Sequence, residues 1–132
     1  MSAGRYSFTI EQGATLDFEL AYKDSNNDPI DLTGYQGRMQ IRPSVGSDTV
    51  YITLSSSLEP DGTGLNFSGS DGLNPPTSGT IGIFISANSS SLLNFNEAVY
   101  DLALATGSEY PVVTRLLEGQ VKLSKNVTLG SF

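Results

Sequence analysis

The chain has 132 residues, a length that suits a single domain that covers residues 1–132 and has one hydrophobic core. Its formal net charge is −7. Seven Lys and Arg residues against fourteen Asp and Glu residues argue against nucleic-acid binding, because phosphate recognition depends on clustered positive charge. The chain has no Cys, no His and no apolar run near the ~20 residues of a membrane span, so no enzyme activity, metal, other cofactor or membrane insertion is predicted.

Alternation of apolar and polar residues predicts short β-strands along most of the chain. In chain order these strands are predicted at Tyr6–Ile10, Leu16–Tyr22, Arg38–Arg42, Val50–Leu54, Leu65–Phe67, Ile81–Ile85, Tyr100–Leu104 and Val112–Leu123. The run Glu11-Gln12-Gly13, between the first two strands, predicts a turn or a switch between sheets. Only Asn88–Phe95 indicates a helix, of one or two turns, since it offers a capping residue and two leucines.

About eight short strands and one helical turn predict an all-β fold, an antiparallel β-sandwich of the immunoglobulin-like kind. Tyr100 follows the predicted helical turn and resembles the tyrosine corner of such domains, in which the hydroxyl bonds to the backbone a few residues upstream. The alternative is that Tyr100 is an ordinary core aromatic residue. Two adjacent leucines precede Gly119, so a β-bulge near Glu118 and Gly119 is predicted to reset the alternation of side chains.

The acidic residues give little support to a metal site or to catalysis. The motif Asp24-x-Asn26-x-Asp28 begins like a calcium-binding loop, but Pro29 and Tyr35 stand where that loop requires Gly and a bidentate Glu. An acidic hairpin loop is the simpler interpretation. Asp101 is predicted to pair with Arg115 across neighbouring strands, as a structural ion pair rather than as a pair of catalytic groups.

Apolar residues on the outer faces of strands indicate a protein interface. Phe84 lies between inward-facing isoleucines, and the same alternation predicts that Tyr51 and Leu116 face outward. A cluster of these side chains would mark the interface, whereas the alternative is that isolated exposed apolar residues are ordinary on a protein surface. Arg38 and Arg42 form a small basic strip, which either meets an acidic partner or is simply solvated.

Several segments spread over most of the chain carry a family resemblance. They are Phe8–Thr15, Pro29–Tyr35, Arg38–Arg42, Ile85–Ala87, Tyr100–Leu102 and Val113–Gly119. Together they resemble a family of small virion proteins of tailed bacteriophages, especially marine and cyanobacterial phages. The run from Asp31 to Tyr35 also resembles the amino-terminal β-sandwich module of some phage baseplate proteins.

The run from Asp31 to Tyr35 also has a local structural interpretation, as a determinant of the fold. Asp31 or Thr33 caps a turn, and Gly34 adopts a positive φ before the chain enters the next strand. Leu32 and Tyr35 are then expected to close one end of the sandwich.

The resemblance implies a non-enzymatic structural component of the virion, whose partners are other virion proteins and which carries no catalytic residues. The favoured position is the tail, where the domain would be a baseplate or fibre-associated adaptor. Association between copies of the chain stays open. Two further alternatives are a capsid decoration protein and a module that binds host-surface glycans through loops such as the one between Gly69 and Gly79.

Overall fold

A computed structural model describes residues 4–69, 73, 75–106 and 112–127 of the chain. These residues form nine β-strands, one α-helix (α1, Ala87–Ser91) and one turn of 3-10 helix (Pro76–Ser78). The strands are β1 (Gly4–Arg5), β2 (Phe8–Glu11), β3 (Leu16–Ala21), β4 (Tyr35–Arg42), β5 (Ile52–Ser55), β6 (Gly64–Asn66), β7 (Thr80–Ile85), β8 (Glu97–Thr106) and β9 (Val112–Ser124). Neither of the two helices has the length or the apolar character that crossing a bilayer requires.

The strands build two sheets that pack face to face. The larger sheet has the order β1-β9-β8-β4-β5, with β2 following β1 along the same edge of β9, and the smaller sheet has the order β3-β7-β6. The groups β3-β7-β6 and β9-β8-β4 correspond to the B-E-D and G-F-C strands of an immunoglobulin-like sandwich, which confirms the predicted fold class. Of the described strand pairs, those of β1 and β2 with β9 are parallel and the others are antiparallel.

The core lies between the sheets and takes one set of alternating side chains from each strand. The three isoleucines of β7, at positions 81, 83 and 85, are fully buried, as their strict alternation indicated. The larger sheet contributes the buried side chains of Ile10, Met39, Ile41, Leu54, Leu102, Leu104, Val121 and Leu123. Removal of this apolar surface from water stabilises the fold by about 25 cal/mol for each Å² buried.

The chain crosses from the larger sheet to the smaller one between β2 and β3, at the switch that the sequence indicated. Gly13 has a φ of 82°, a conformation that favours glycine. Its backbone N–H donates to Oγ of Ser90, and the Ser90 hydroxyl donates to the carbonyl oxygen of Ala14 at 2.7 Å. The side-chain amide of Gln12 donates to the carbonyl oxygen of Leu93. The fully buried serine of α1 therefore fixes the position of the switch.

The run from Asp31 to Tyr35 forms a turn that leads into β4. Hydrogen bonds from the hydroxyl and the backbone N–H of Thr33 lower the pKa of Asp31. The backbone N–H of Tyr35 donates to the carbonyl oxygen of Leu32, and Gly34 has a φ of 83°, as the third residue of a type II turn requires. Leu32 is buried and Tyr35 packs against the core, so both side chains anchor the turn.

Tyr100 is buried, and its hydroxyl donates a hydrogen bond of 2.5 Å to the carbonyl oxygen of Tyr6. The predicted tyrosine corner is therefore wrong, because the acceptor is 94 positions away in the N-terminal segment rather than a few residues upstream. Pairing of β1 and β2 with β9 brings Tyr6 over Gly119, which is the cross-strand neighbour of Tyr100. Burial, followed by the nearby Tyr6, raises the pKa of Tyr100 to about 12.

Replacing Tyr100 with Phe is expected to lower the free energy of unfolding by about 1 kcal/mol, because the Tyr6 carbonyl loses its donor while the ring packing is kept. The pKa of Tyr100 lies above its ordinary value of 10.0, so the contribution of the protonated hydroxyl is fully present below pH 10 and is lost as the pH rises toward 12. Urea unfolding at neutral pH and at about pH 11 should therefore show a smaller gap between wild type and variant at the higher pH. Tyr6→Phe, which changes a half-exposed side chain and keeps the backbone carbonyl that accepts the bond, is the control. A gap between wild type and Tyr100→Phe that is the same at both pH values would contradict the assignment.

The bulge of β9 lies at Leu116, so the predicted position near Glu118 and Gly119 is wrong. Leu102 pairs with Leu117 and the next residue of β8 pairs with Arg115, which leaves Leu116 as the extra residue. This arrangement allows both leucines, 116 and 117, to pack against the core. Gly119 has a different role, because a Cβ atom there would overlap the backbone of Tyr6.

Candidate functional site

All four arginines of the chain lie on the outer surface of the larger sheet. Arg5 comes from β1, Arg38 and Arg42 from β4, and Arg115 from β9, each in the phase opposite to the core-facing residues of its strand. We call this surface, the outward side chains of β1, β9, β8 and β4 around these four arginines, the arginine face. β1, β4 and the consecutive pair of β8 and β9 lie far apart in sequence, so the sheet order creates the grouping.

The arginines stand in rows across the sheet. Ala103 of β8 pairs with Arg38 on one side and with Arg115 on the other. Neighbouring strands lie about 4.8 Å apart, so the backbones of these two arginines are roughly 10 Å apart, with one methyl group between them. Arg42 is four residues, or roughly 13 Å, from Arg38 along β4, opposite Val99. The outward residues of β8 between these two flanks are Val99, Asp101, Ala103 and Ala105.

Polar contacts orient two of the four arginines. Arg42 donates from Nε and Nη2 to Oε1 of Gln40, at 3.2 and 2.6 Å, and from Nη1 to the carbonyl oxygen of Ser47. Nε of Arg115 lies 3.5 Å from Oδ2 of Asp101, which confirms the predicted pairing of these residues. Both side chains of this ion pair are at least half exposed, so water screens it and it contributes little to stability.

Two shallow grooves follow one another along β8 on the arginine face. The first has a volume of about 530 Å³ and the second a volume of about 500 Å³. The first groove is lined by Arg5, Arg42 and Arg115 together with Asp101, Glu118 and Val45, among others. The second is lined by one arginine, Arg38, together with Ala103, Ala105 and Val113, among others. The first groove lies over Val99 to Asp101 and the second over Ala103 to Ala105, so together they follow β8 for about 20 Å.

Exposed valines border the two grooves. Val45, in the loop after β4, is 93% exposed beside the first groove, and Val113 of β9 is 63% exposed beside the second. The centres of protein interfaces are depleted in charge in general but enriched in arginine, together with apolar groups. The arginine face thus combines arginines and exposed valines, two classes of residue that occur at the centres of such interfaces.

Charge is distributed unevenly over the domain. The outward side of the larger sheet carries five basic residues, the arginines and Lys122, and four acidic residues, Glu11, Glu97, Asp101 and Glu118. The other described residues contain two lysines and eight carboxylates. A negatively charged partner is therefore attracted to the arginine face and repelled by the rest of the described surface.

The residues predicted for an interface do not form one patch. Arg38 and Arg42 lie on the arginine face, whereas Phe84 lies on the outer surface of the smaller sheet, on the other side of the sandwich. Phe84 is half-buried, with the edge of its ring close to Gly62. The sequence grouped residues that the fold separates.

Tyr51 and Leu116 face the core, so the prediction that they point outward is wrong. Tyr51 stacks on the buried ring of Phe95, with ring centroids 4.6 Å apart. The regular alternation of β5 begins only at Ile52, so a parity counted back along that strand does not reach Tyr51. Leu116 is the extra residue of the β9 bulge and packs against the core cluster.

Arg38 and Arg42 are recognisable as a strip from the sequence, but the place of Arg5 on this surface is not, and Arg115 is recognisable only as the partner of Asp101. A four-residue spacing within one strand is visible locally, because alternate residues share a face. The position of Arg5 depends on the parallel pairing of β1 with β9, which no local pattern indicates. The outward phase of the polar residues of β9 was the available signal for Arg115.

The acidic loops are held by their own hydrogen bonds. Oδ1 of Asp24 accepts from the backbone N–H groups two and four residues further on, as in a plain hairpin loop. Asp61 accepts bonds from the hydroxyls of Ser86 and Ser89 and from the backbone N–H of Thr63, and these bonds, led by that of Ser86, lower its pKa. Within the described part of the chain, no group of three or more acidic residues could hold a metal ion. Residues 70–72 and 74, in the loop considered for glycan binding, lie outside the described residues.

The chemistry of the arginine face follows from its own side chains. A guanidinium group presents several N–H donors in a planar fork that matches a carboxylate, and such charge-assisted bonds are stronger than neutral ones. The surface can therefore hold carboxylates in defined positions. Comparison with known protein families and with curated proteins finds no match to this chain.

Proposed function

We propose that this domain is a non-enzymatic structural component of a tailed-phage virion, an adaptor in the tail that docks one virion protein to another. The observation that carries the proposal is the arginine face, which combines four arginines with exposed valines on a domain of net charge −7. A surface of this composition suits protein–protein docking. The family resemblance of the sequence supplies the virion context.

An adaptor needs two docking surfaces, and the sandwich offers a second one. The outer surface of the smaller sheet carries Phe84, with Asp17 as its cross-strand neighbour and Glu19 next along β3. Its charge is opposite to that of the arginine face. Because the two surfaces point away from each other across the core, two partners can bind at the same time.

The copy number in purified particles tests the location. Quantitative mass spectrometry of particles of the phage that encodes this chain should find the protein in tens of copies or fewer, as expected for a tail component. Hundreds of copies, or retention of the protein on capsids assembled without tails, would indicate a capsid decoration protein instead. Absence from the particles would overturn the proposal.

Phe84→Asp tests the second docking surface. The variant domain should remain folded, since Phe84 is outside the core cluster, but its incorporation into particles should fall several-fold. Leu92→Asp places the same charge on a side chain that is 84% exposed near the end of α1, and it is the matched control. Circular dichroism checks the fold of both variants, and immunoblots of purified particles measure incorporation. Equal incorporation of the two variants would exclude Phe84 from the docking surface.

A further inference from the structure

We infer that the arginine face binds an extended, acidic segment of a partner protein, which lies along β8. The inference deepens the proposed function, on which it rests in taking a protein as the partner. It names the chemistry of that partner: carboxylates at regular spacing on a chain in extended conformation.

The shape of the surface favours an extended occupant. The two grooves follow one another along β8 for about 20 Å, which corresponds to roughly six residues of extended chain. In the second groove Ala103 and Ala105 leave space above β8, and in the first groove Val99 and Asp101 lie there. Longer side chains of β4 and β9 stand on both sides. A narrow trough with two raised flanks fits a single strand better than a broad globular surface.

The spacing of the arginines matches the repeat of an extended chain. Alternate side chains of such a chain face the same way and lie about 6.8 Å apart, so carboxylates four positions apart are separated by roughly 13 Å. That is the separation of Arg38 and Arg42 along β4. Arg115 stands across the trough from Arg38 and can bind a carboxylate on the other side of the occupant.

Existing contacts reduce the cost of binding. Gln40 and Ser47 already hold the guanidinium group of Arg42, and Asp101 orients that of Arg115. Side chains ordered before binding lose less conformational entropy when a partner arrives. Val45 and Val113 add apolar contacts at the two ends of the trough.

The same surface is a poor match to a nucleic acid. Asp101 and Glu118 lie in the first groove among the arginines and would repel a continuous row of phosphates. A peptide can place a neutral or donor side chain beside these two carboxylates, whereas a phosphate backbone repeats its charge at every nucleotide. The alternation of both signs on the arginine face therefore favours a peptide.

Fluorescence anisotropy with a labelled twelve-residue peptide, in which every fourth residue is Glu and the others are Thr, tests the inference on the full chain. The wild-type protein should bind the peptide, and binding should weaken as the salt concentration rises. The double variant Arg38→Gln, Arg115→Gln changes two exposed side chains and should bind about tenfold more weakly or worse. Lys23→Gln, Lys125→Gln removes the same charge from positions outside the grooves and should bind nearly as well as the wild type.

Further probes separate the alternative outcomes. A peptide with Gln in place of every Glu should not bind, and equal binding of this peptide would show that carboxylates are not recognised. Preference for a single-stranded oligonucleotide or for inorganic phosphate over the Glu peptide would overturn the inference in favour of a phosphate site. Circular dichroism confirms that each variant is folded, and Arg42→Gln provides an independent second test.

The outcome is independent of the particle experiment. If the peptide binds as expected but the protein is absent from particles, the surface is assigned correctly and the virion role fails. If the protein is present in the tail but the peptide does not bind to the wild type, the docking role stands and its chemistry on this surface is wrong.

Discussion

The Gly119→Ala variant is expected to lose about 3 kcal/mol of the free energy of unfolding, at the upper end of the range for overpacking. A Cβ atom at this position would overlap the carbonyl group of Tyr6 and approach the ring of Tyr100. The N-terminal segment would have to move away from β9. That movement would break the bond from the Tyr6 N–H to the Glu118 carbonyl and the bond from the Tyr100 hydroxyl.

The loss should extend to the aromatic cluster at this edge of the sandwich. The rings of Tyr6, Phe8, Phe18 and Tyr100 lie within 5.1 to 6.2 Å of one another in contacting pairs, and the first two depend on the position of the N-terminal segment. Urea unfolding measures the total loss, and hydrogen exchange should show that β1 and β2 lose protection first. Gly4→Ala, on the same edge, meets a flexible side-chain atom of Leu117 at 3.3 Å and the carbonyl oxygen of Leu116 at an ordinary contact distance of 3.6 Å, and it should change stability by less than about 0.5 kcal/mol. Similar stabilities for the two variants would show that the N-terminal segment does not pass over Gly119.

Leu32→Ala is expected to destabilise the domain by about 3 kcal/mol, through lost burial and the cavity that remains. Leu32 is 1% exposed and belongs to the core cluster, although it lies in a turn rather than in a strand. Its backbone carbonyl closes the turn with Tyr35, so the rigid turn limits how far the surroundings can collapse into the space. Chemical denaturation at neutral pH measures the change.

Leu92→Ala is the matched control for this prediction. It makes the same chemical change at a side chain that is 84% exposed, and it should alter stability by less than about 0.5 kcal/mol. Equal effects of the two substitutions would contradict the role of Leu32 as a core anchor. If Leu32→Ala left the free energy of unfolding unchanged, the turn from Asp31 to Tyr35 would not contribute to the stability of the core.

The strands could be predicted where one face of the sheet is buried and the other is exposed to solvent. The isoleucines of β7 alternate with Gly82 and Phe84, and the structure buries the isoleucines and places Phe84 on the outer face of the sheet. The turn at Gly34 was equally accessible, because positive φ, a capping carboxylate and a following strand are local properties. The alternation of apolar and polar residues and the turn-forming residues are therefore enough to predict this part of the fold.

The sequence predictions failed where the alternation breaks or where the partner is distant. Tyr51 lies just before the regular part of β5, and Leu116 is a bulge residue, so counting parity assigned both to the wrong side. The acceptor for Tyr100 is 94 positions away, and the arginine face joins strands from both ends of the chain. Such long-range pairings depend on sheet order, which short-range patterns do not encode.

The parallel pairing of the first and last strands has a mechanical consequence. Gly4 lies beside Leu117, and Glu11 lies beside Ser124, so the segments run in the same direction along one edge. Tension applied between residue 4 and residue 126 would load the hydrogen bonds of this edge in shear, many at once, instead of peeling them apart one by one. A domain built this way resists stretching along its chain, which suits a part that must transmit force.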